Sequence, residues 1–181
     1  YQGEHNAPAA PFPLSTNDYI AAFNVLKNSW MQDYSTVSNI FAVQIRGCWG
    51  INHLPIAEAL RQMELADPSF HIMSNGAADQ SDDCHFNFTN GKEVIGQNIF
   101  NQVGKYVYGF SGVPSIVDPA KIDSAKWLDS SRLELHFTDV DSFYTTDSFY
   151  RNFQIGQGFF GTIRPIDGYT DDNKVILIFE D

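Results

Sequence analysis

Positive charge is scarce in this sequence of 181 residues, because 11 Lys and Arg stand against 22 Asp and Glu and leave a net charge of −11. A protein that binds nucleic acid neutralises phosphates with a basic surface, and the few scattered cations here do not form one. Long apolar runs are missing too. The densest, residues 175–179, is far shorter than the roughly 18 residues of a membrane helix. The sequence therefore predicts neither a nucleic-acid partner nor a membrane partner.

Several cofactor motifs are also missing. The 5 His residues form no helical i,i+4 pair and have no CxxC partner, so the sequence carries no zinc signature. The GxxxxGK[ST] phosphate loop and the GxSxG nucleophile turn do not occur. The acidic stretches 138–141 and 171–173 lack the spacing of a calcium loop. We expect no metal and no cofactor.

Cysteine occurs only twice, at Cys48 and Cys84, the minimum for one disulfide. Asn87 opens an Asn-Phe-Thr glycosylation sequon just after the second cysteine. Residues 1–14 are rich in Pro and Ala and show no periodicity, which is typical of an extended arm at a processed N-terminus. Together these features predict a secreted, disulfide-bonded glycoprotein. The alternative is a pair of free core thiols and a chance sequon.

Two helices are indicated near the N-terminus. After the capping candidates Ser15, Thr16 and Asn17, apolar residues recur at steps of three and four: Tyr19, Phe23, Leu26, Trp30 and Tyr34. A second helix has Pro55 in its first turn and ends at Asp67-Pro68, with one apolar face formed by Ile56, Leu60 and Met63.

The rest of the chain has the alternation and turn residues of strands. A short strand precedes Gly47, and from residue 69 onward the predicted strands are 69–74, 84–89, 93–101, 104–111, 131–138, 148–156, 159–166 and 174–180. Residues 112–130 form an irregular excursion with one helical turn near Trp127. The sequence thus predicts an α+β protein with a single domain over 15–181.

Strand faces and helix ends supply the candidate functional residues. Both faces of 70–73 are apolar, so His71 is either a hydrogen-bonded core residue or a desolvated acid or base. Asp33 and Tyr34 end the first helix, where the alternatives are a surface carboxylate and a core edge. The predicted catalytic residues are Asp33, Tyr34 and His71, and the predicted ligand contacts are Trp30, Met73, Tyr106 and Tyr108. Strict alternation predicts that His85 and His136 face solvent.

The order of elements resembles the NTF2-like, or ketosteroid-isomerase-like, cone family. In that family a helix like 19–34 leads into a segment like 35–42, and a helix like 56–65 packs under the sheet. The resemblance implies N-terminal helices packed on a strongly curved, mostly antiparallel sheet that encloses a cavity.

A second resemblance is to calycin or lipocalin barrels, where a Gly-x-Trp motif opens the first strand. Gly47-Cys48-Trp49 matches that tripeptide, and the number of later strands suits a closed barrel. The alternative fold is therefore a lipocalin-like β-barrel with an N-terminal helix.

Both resemblances imply an aromatic-lined cavity for a small apolar or amphipathic organic molecule. The first functional hypothesis is a secreted enzyme, an isomerase, cyclase or dehydratase, that moves a proton with His71 or Asp33. The alternative is a secreted carrier whose cavity holds no ionisable group. A homodimer is left open.

Overall fold

The computed structural model describes residues 14–45, 54–76, 78–81, 85–143, 145, 147–156 and 162–180. It separates into two compact units, Tyr1–Asp118 and Pro119–Asp181. The class is α+β, as predicted, with three α-helices and an antiparallel four-stranded sheet. Of the predicted N-terminal arm only Leu14 is described, and the single domain over 15–181 stays a prediction.

The first unit contains all three helices and a pair of short strands. In chain order its elements are α1 (Thr16–Asp33), β1 (Ile40–Val43), α2 (Leu54–Ala66), β2 (Phe70–Met73) and α3 (Glu93–Tyr106). A π-type turn, Phe88–Lys92, leads into α3, and Asn90 has a φ of 34° there.

The first helix begins where a capping side chain satisfies its free N–H groups. The Ser15 hydroxyl accepts a hydrogen bond from the Asp18 N–H at 3.2 Å, which confirms one of the three predicted caps. The Thr16 hydroxyl donates to the Pro55 carbonyl at 3.0 Å and so joins the start of α1 to the start of α2. The predicted apolar face of α2, Ile56, Leu60 and Met63, is buried, and Ala59 is buried with it.

Strands β1 and β2 pair in parallel, with Ile40 opposite Phe70 and Val43 opposite Met73. All four residues of β2 are buried, which confirms that both faces of this strand are covered. Phe70 and Ile72 join the core formed with α2, and α1 packs against that core through Tyr19, Ile20 and Phe23. On the other face, the His71 ring lies against Tyr106 of α3.

The outer edge of β2 is closed by side chains. The Ile72 N–H donates to Glu64 Oε1 at 2.9 Å, and the Ile72 carbonyl accepts from Gln102 Nε2 at 2.7 Å. The next outward carbonyl, that of Ser74, accepts from Asn98 Nδ2 at 2.9 Å. Buried backbone groups must be hydrogen-bonded, and here side chains of α2 and α3 take the place of a third strand.

Helix α3 occupies the region where strands 93–101 and 104–111 were predicted, so both predictions were wrong. The helix directs amides, at Asn98 and Gln102, toward β2 where an amphipathic helix usually places apolar residues. Gly104 lies in its last turn, where an added Cβ would come within 3.0 Å of Val113 Cγ1. The predicted strand 84–89, in its described part, forms only one bridge, from Phe86 to Gln80.

The second unit is built around an antiparallel sheet of order β3-β4-β8-β7. Its strands are β3 (Lys121–Trp127), β4 (Arg132–Thr138), β7 (Asp167–Asp171) and β8 (Lys174–Ile178), and β5 (Ile155–Gly156) pairs separately with β6 (Thr162–Ile163). A 3₁₀ turn, Phe149–Asn152, falls inside the predicted strand 148–156. The helical turn near Trp127 was also wrong, since Trp127 ends β3.

The alternation predicted for 132–137 is present in β4. Leu133, Leu135 and Phe137 are buried and form a core with Val175 and Leu177 of β8 and with Phe179, which follows β8. His136 lies on the other face with a half-exposed side chain 3.7 Å from Asp123, and His85 is exposed. Both histidines are therefore accessible to solvent, as predicted.

The edge closure of β2 can be tested with Gln102→Ala. The substitution leaves the buried Ile72 carbonyl without its partner, but it also removes Gln102 Oε1, which is buried without a hydrogen bond. We expect the free energy of unfolding to fall by about 1–2 kcal/mol, measured by urea denaturation. The control Gln97→Ala removes an exposed amide from the same helix. Equal midpoints for the two variants would contradict the closure.

Candidate functional site

The larger cavity of the first unit lies between α1 and β1, with a volume of about 580 Å³. We call it the α1–β1 cavity. The described residues that line it are all aliphatic or aromatic: Leu14, Tyr19, Ala22, Phe23, Leu26, Trp30, Ile40, Phe41, Ala42, Val43 and Leu60. Its volume is within the range of about 300–1,000 Å³ found for small-molecule sites.

The cavity follows the edge of β1. Consecutive side chains of a strand point to opposite faces, yet all four residues of β1, Ile40–Val43, line the cavity. A cavity that contacts side chains from both faces of a strand runs along the edge of the strand rather than over one face. The opposite wall is α1, from Tyr19 to Trp30.

The lining side chains supply few polar atoms. Among the described lining residues these are the Tyr19 hydroxyl and the Trp30 indole N–H, and no carboxylate, imidazole or ammonium is present. Burial raises the pKa of Tyr19, so its hydroxyl stays protonated at neutral pH and can donate or accept a hydrogen bond. The cavity is suited to an uncharged molecule.

His71 of β2 is the middle ring in a stack of three, between Phe41 of β1 and Tyr106 of α3. Its ring centroid is 5.0 Å from that of Phe41 and 4.0 Å from that of Tyr106, and the residue is only 7% exposed. Its Nε2 is 3.0 Å from Asn39 Oδ1, while Asn39 Nδ2 faces the Ser38 hydroxyl at 3.1 Å. Because the Asn39 oxygen can only accept, we assign a proton to His71 Nε2.

A polar cluster adjoins this stack at the end of α3. The Tyr106 hydroxyl donates to Asp118 Oδ2, and Lys105 Nζ lies 3.4 Å from the same oxygen. Gln102, which is 0% exposed, places its Nε2 3.4 Å from Asp118 Oδ1. Asp118 therefore ties the C-terminal end of α3 to the chain that follows it, and such a network can hold the Tyr106 ring in place against His71.

The structure gathers some of the predicted site residues and separates others. His71 and Tyr106 are in contact, Trp30 lines the α1–β1 cavity, and Met73 is buried in β2. The remaining three are exposed at the surface: Asp33, Tyr34 (63%) and Tyr108 (77%). The strand predicted over 104–111, which would have placed Tyr106 and Tyr108 on one face, was wrong, because Tyr106 ends a helix.

The predicted modification sites are only partly within the described residues. Cys48 and Cys84 lie outside them, and the disulfide stays a prediction. Asn87 is half-buried, and its N–H donates to the Asp79 carbonyl at 3.0 Å. Its glycosylation is likewise still a prediction.

Several important residues were missed from the sequence. Phe41 lines the cavity and also stacks on His71, while Asn39, Gln102 and Asp118 fix the surroundings of that ring. Alternation over 40–43 could have suggested Phe41. Nothing in the local pattern marks Asn39 or Asp118, since their roles come from pairing at a distance along the chain.

A smaller cavity of about 250 Å³ lies between α1 and α2. Lys27 and Asp67, which form an ion pair across it, line it together with Asn24, Gln62 and mainly apolar neighbours. The Ser69 hydroxyl also donates to Asp67, at 2.6 Å. The charged groups of this cavity are already paired with each other, which makes it a poor site for an acid or base.

Residues 156–161 have the G-x-G-x-x-G spacing of a dinucleotide-binding fingerprint. That motif binds phosphates where it follows a strand and opens a helix. Here Gly156 ends β5, and Thr162 begins the strand that pairs antiparallel with it. The element that follows the motif is a strand and not a helix, so the spacing lacks the context of a nucleotide site.

The described part of the chain contains no group of three His, Cys, Asp or Glu residues placed to hold a metal ion. None of its helices combines the length and apolar character required to cross a membrane.

Comparisons with protein-family models, curated proteins and solved structures give no match to this chain. The resemblances to NTF2-like and lipocalin proteins therefore stay predictions.

The Lys27–Asp67 pair predicts a dependence of stability on pH. Hydrogen bonds from Lys27 and Ser69 lower the pKa of Asp67 to about 2, below the ordinary value of 3.8 that it regains on unfolding. A lowered folded-state pKa contributes stability above pH 3.8 that is lost as the pH falls toward 2. Since Asp67 is partly exposed, we expect about 1 kcal/mol from it at neutral pH.

Asp67→Asn should therefore be less stable than the parent at pH 7 and equally stable near pH 2, as measured by urea denaturation across this range. The exposed Asp33→Asn variant serves as the control and should follow the parent profile. A gap between Asp67→Asn and the parent that persists unchanged at pH 2 would contradict the assignment.

Proposed function

We propose that this protein is a secreted carrier that binds a small, uncharged apolar or amphipathic organic molecule in the α1–β1 cavity. The observation that carries the proposal is a cavity of about 580 Å³ whose described lining has aromatic and aliphatic side chains and no carboxylate, imidazole or ammonium. Acid/base enzymes mostly use such groups, and the one ionisable side chain of the described lining, Tyr19, has a raised pKa that keeps it protonated at neutral pH. Asp33 and His71, the predicted catalytic groups, are not among the described lining residues.

Two features support a specific ligand site rather than a nonspecific apolar surface. Trp30 and Phe23 present aromatic rings to the cavity and approach each other edge to face, with centroids 6.2 Å apart. The Tyr19 hydroxyl gives an amphipathic ligand one polar contact. Binding sites of this kind commonly combine an apolar wall with a few polar groups that set orientation.

The order of elements also supports an NTF2-like cone as a proposal for the family, since two helices come first and an antiparallel sheet comes last. A lipocalin-like barrel receives less support, because α1, α2 and α3 all precede the four-stranded sheet. The strong curvature of the cone stays part of this proposal.

The enzyme hypothesis has one observation in its favour, the buried stack of Phe41, His71 and Tyr106. Phe41 also lines the cavity, so a ligand there would lie one ring away from the imidazole. An enzyme would change its bound molecule chemically, and His71→Ala would slow that change by about 10²–10⁴-fold. A carrier would release the same mass that it bound, as read by mass spectrometry of molecules extracted before and after incubation.

The binding proposal can be tested by filling the cavity. Ala22 is the smallest side chain on the α1 wall, and Ala22→Trp should place an indole in the ligand space. We expect the fluorescence of the neutral dye N-phenyl-1-naphthylamine to rise on binding to the parent protein. The variant should lose at least about tenfold in affinity, or 1.4 kcal/mol.

The matched control is Ala21→Trp, which adds the same indole to the adjacent exposed position of α1, outside the described lining. It should bind the dye as the parent does. No saturable dye binding, or equal losses in the two variants, would reject the α1–β1 cavity as the binding site.

A further inference from the structure

One edge of strand β1 has no partner among the described residues. The N–H groups of Ile40 and Gln44 donate to the carbonyls of Ser69 and Met73 at 2.8 and 3.0 Å. In a parallel ladder the bonds to a neighbouring strand come from alternate residues. Phe41 and Val43 therefore direct their N–H and C=O groups away from β2.

The two edges of the β1–β2 pair differ in how they are covered. Side chains of Glu64 and Gln102 close the outer edge of β2 at Ile72. No described strand pairs with the outer edge of β1, and no described side chain bonds to the outward backbone groups of Phe41 or Val43. Uncovered strand edges attract another extended chain, and proteins usually protect them.

This edge of β1 opens into the α1–β1 cavity, since all four residues of β1 line it. We propose that the cavity binds an uncharged, apolar peptide segment of about four residues, which adds as a strand to β1. The inference rests on the proposed function and specifies the chemistry of the ligand for that site.

The walls of the cavity favour this ligand chemistry. The outward N–H and C=O groups of Phe41 and Val43 are spaced for the backbone of an extended peptide, which presents the same alternation of donors and acceptors. The described lining carries no charged side chain, so an uncharged segment matches it and a charged one would be desolvated without a partner.

The length of the edge sets the length of the ligand. Four strand residues extend about 13 Å at roughly 3.3 Å each. Apolar side chains of the peptide would alternate between the face of the sheet on which Phe23 of α1 packs against Phe70 and the opposite face. Backbone pairing would then give affinity, and the aromatic wall would select the side chains.

The first experiment compares two ligands with the same side chains. The blocked peptide acetyl-Val-Ala-Val-Ala-amide should displace N-phenyl-1-naphthylamine from the parent protein. Its all-ester analogue keeps the shape but lacks the N–H donors that pair with the Phe41 and Val43 carbonyls. We expect the analogue to bind about tenfold more weakly, as two lost backbone hydrogen bonds predict.

The second experiment removes a donor from the protein. Val43→Pro deletes an N–H that points away from β2, a position where an edge strand tolerates proline. Val43→Ala removes comparable side-chain contacts but keeps the N–H. We therefore compare the ratio of peptide affinity to dye affinity in the two variants. We expect this ratio to be about fivefold lower in Val43→Pro than in Val43→Ala, because the proline variant loses one backbone hydrogen bond to the peptide. Circular dichroism verifies that both variants are folded.

The outcomes separate the two proposals. Dye binding with equal affinities for peptide and ester, or with no binding of the peptide, overturns the peptide inference and leaves the apolar cavity as proposed. No binding of dye or peptide overturns both proposals. A third outcome also overturns the peptide inference. In it the peptide does not bind, the parent protein dimerises with increasing concentration, and Val43→Pro abolishes the dimer. A second copy of the chain would then cover the edge. A weaker ester together with the lowered ratio supports the peptide inference.

Discussion

The complete burial of β2 is the constraint on which the first unit depends. All four residues, Phe70–Met73, are buried, so each backbone N–H and C=O on both edges of the strand requires a partner. β1 supplies partners on one edge. On the other edge Glu64 of α2 and Gln102 of α3 supply them at Ile72, and the Asp67 carbonyl accepts from the Phe70 N–H. Helix positions here are set by hydrogen bonds to one short strand as much as by apolar packing.

That arrangement leaves the unit asymmetric. α2 and α3 approach β2 closely enough for their side chains to bond to Ile72, whereas α1 stays apart from β1 by the width of a cavity. The difference lies in the residues that face the two strands. α1 presents mainly apolar side chains to β1, and those of Phe23 and Leu26 have no donor or acceptor for a backbone edge. The same residues that leave the edge open also give the cavity its apolar wall.

Prediction from the sequence succeeded where one side-chain period matched one element. The helical stripe of α1 and α2 and the alternation of β4 were sufficient because their inner faces are apolar. It failed at α3, although Ile95, Ile99, Val103 and Tyr106 recur there at helical steps of four, four and three. Glycine and asparagine within this segment suggested breaks between strands, and short apolar runs between such residues fit a strand as well as a helix. The roles of Asn98 and Gln102 become visible only in the structure, because their partners Ser74 and Ile72 lie 24 and 30 residues earlier in the chain.

In the candidate site, too, the sequence predicted some residues correctly and failed at others. Trp30 and His71 follow from periodicity, because a helical stripe directs Trp30 toward β1 and a strand buried on both faces leaves His71 no exposed side. Tyr34 continues the apolar spacing of α1 in the sequence, but not in the structure. It is the residue that caps α1, with φ −125° and ψ 82°, so the chain has left helical geometry there and its side chain is exposed. A stripe predicts direction only while the helix lasts, and the end of α1 is set by a backbone torsion that apolar spacing does not record.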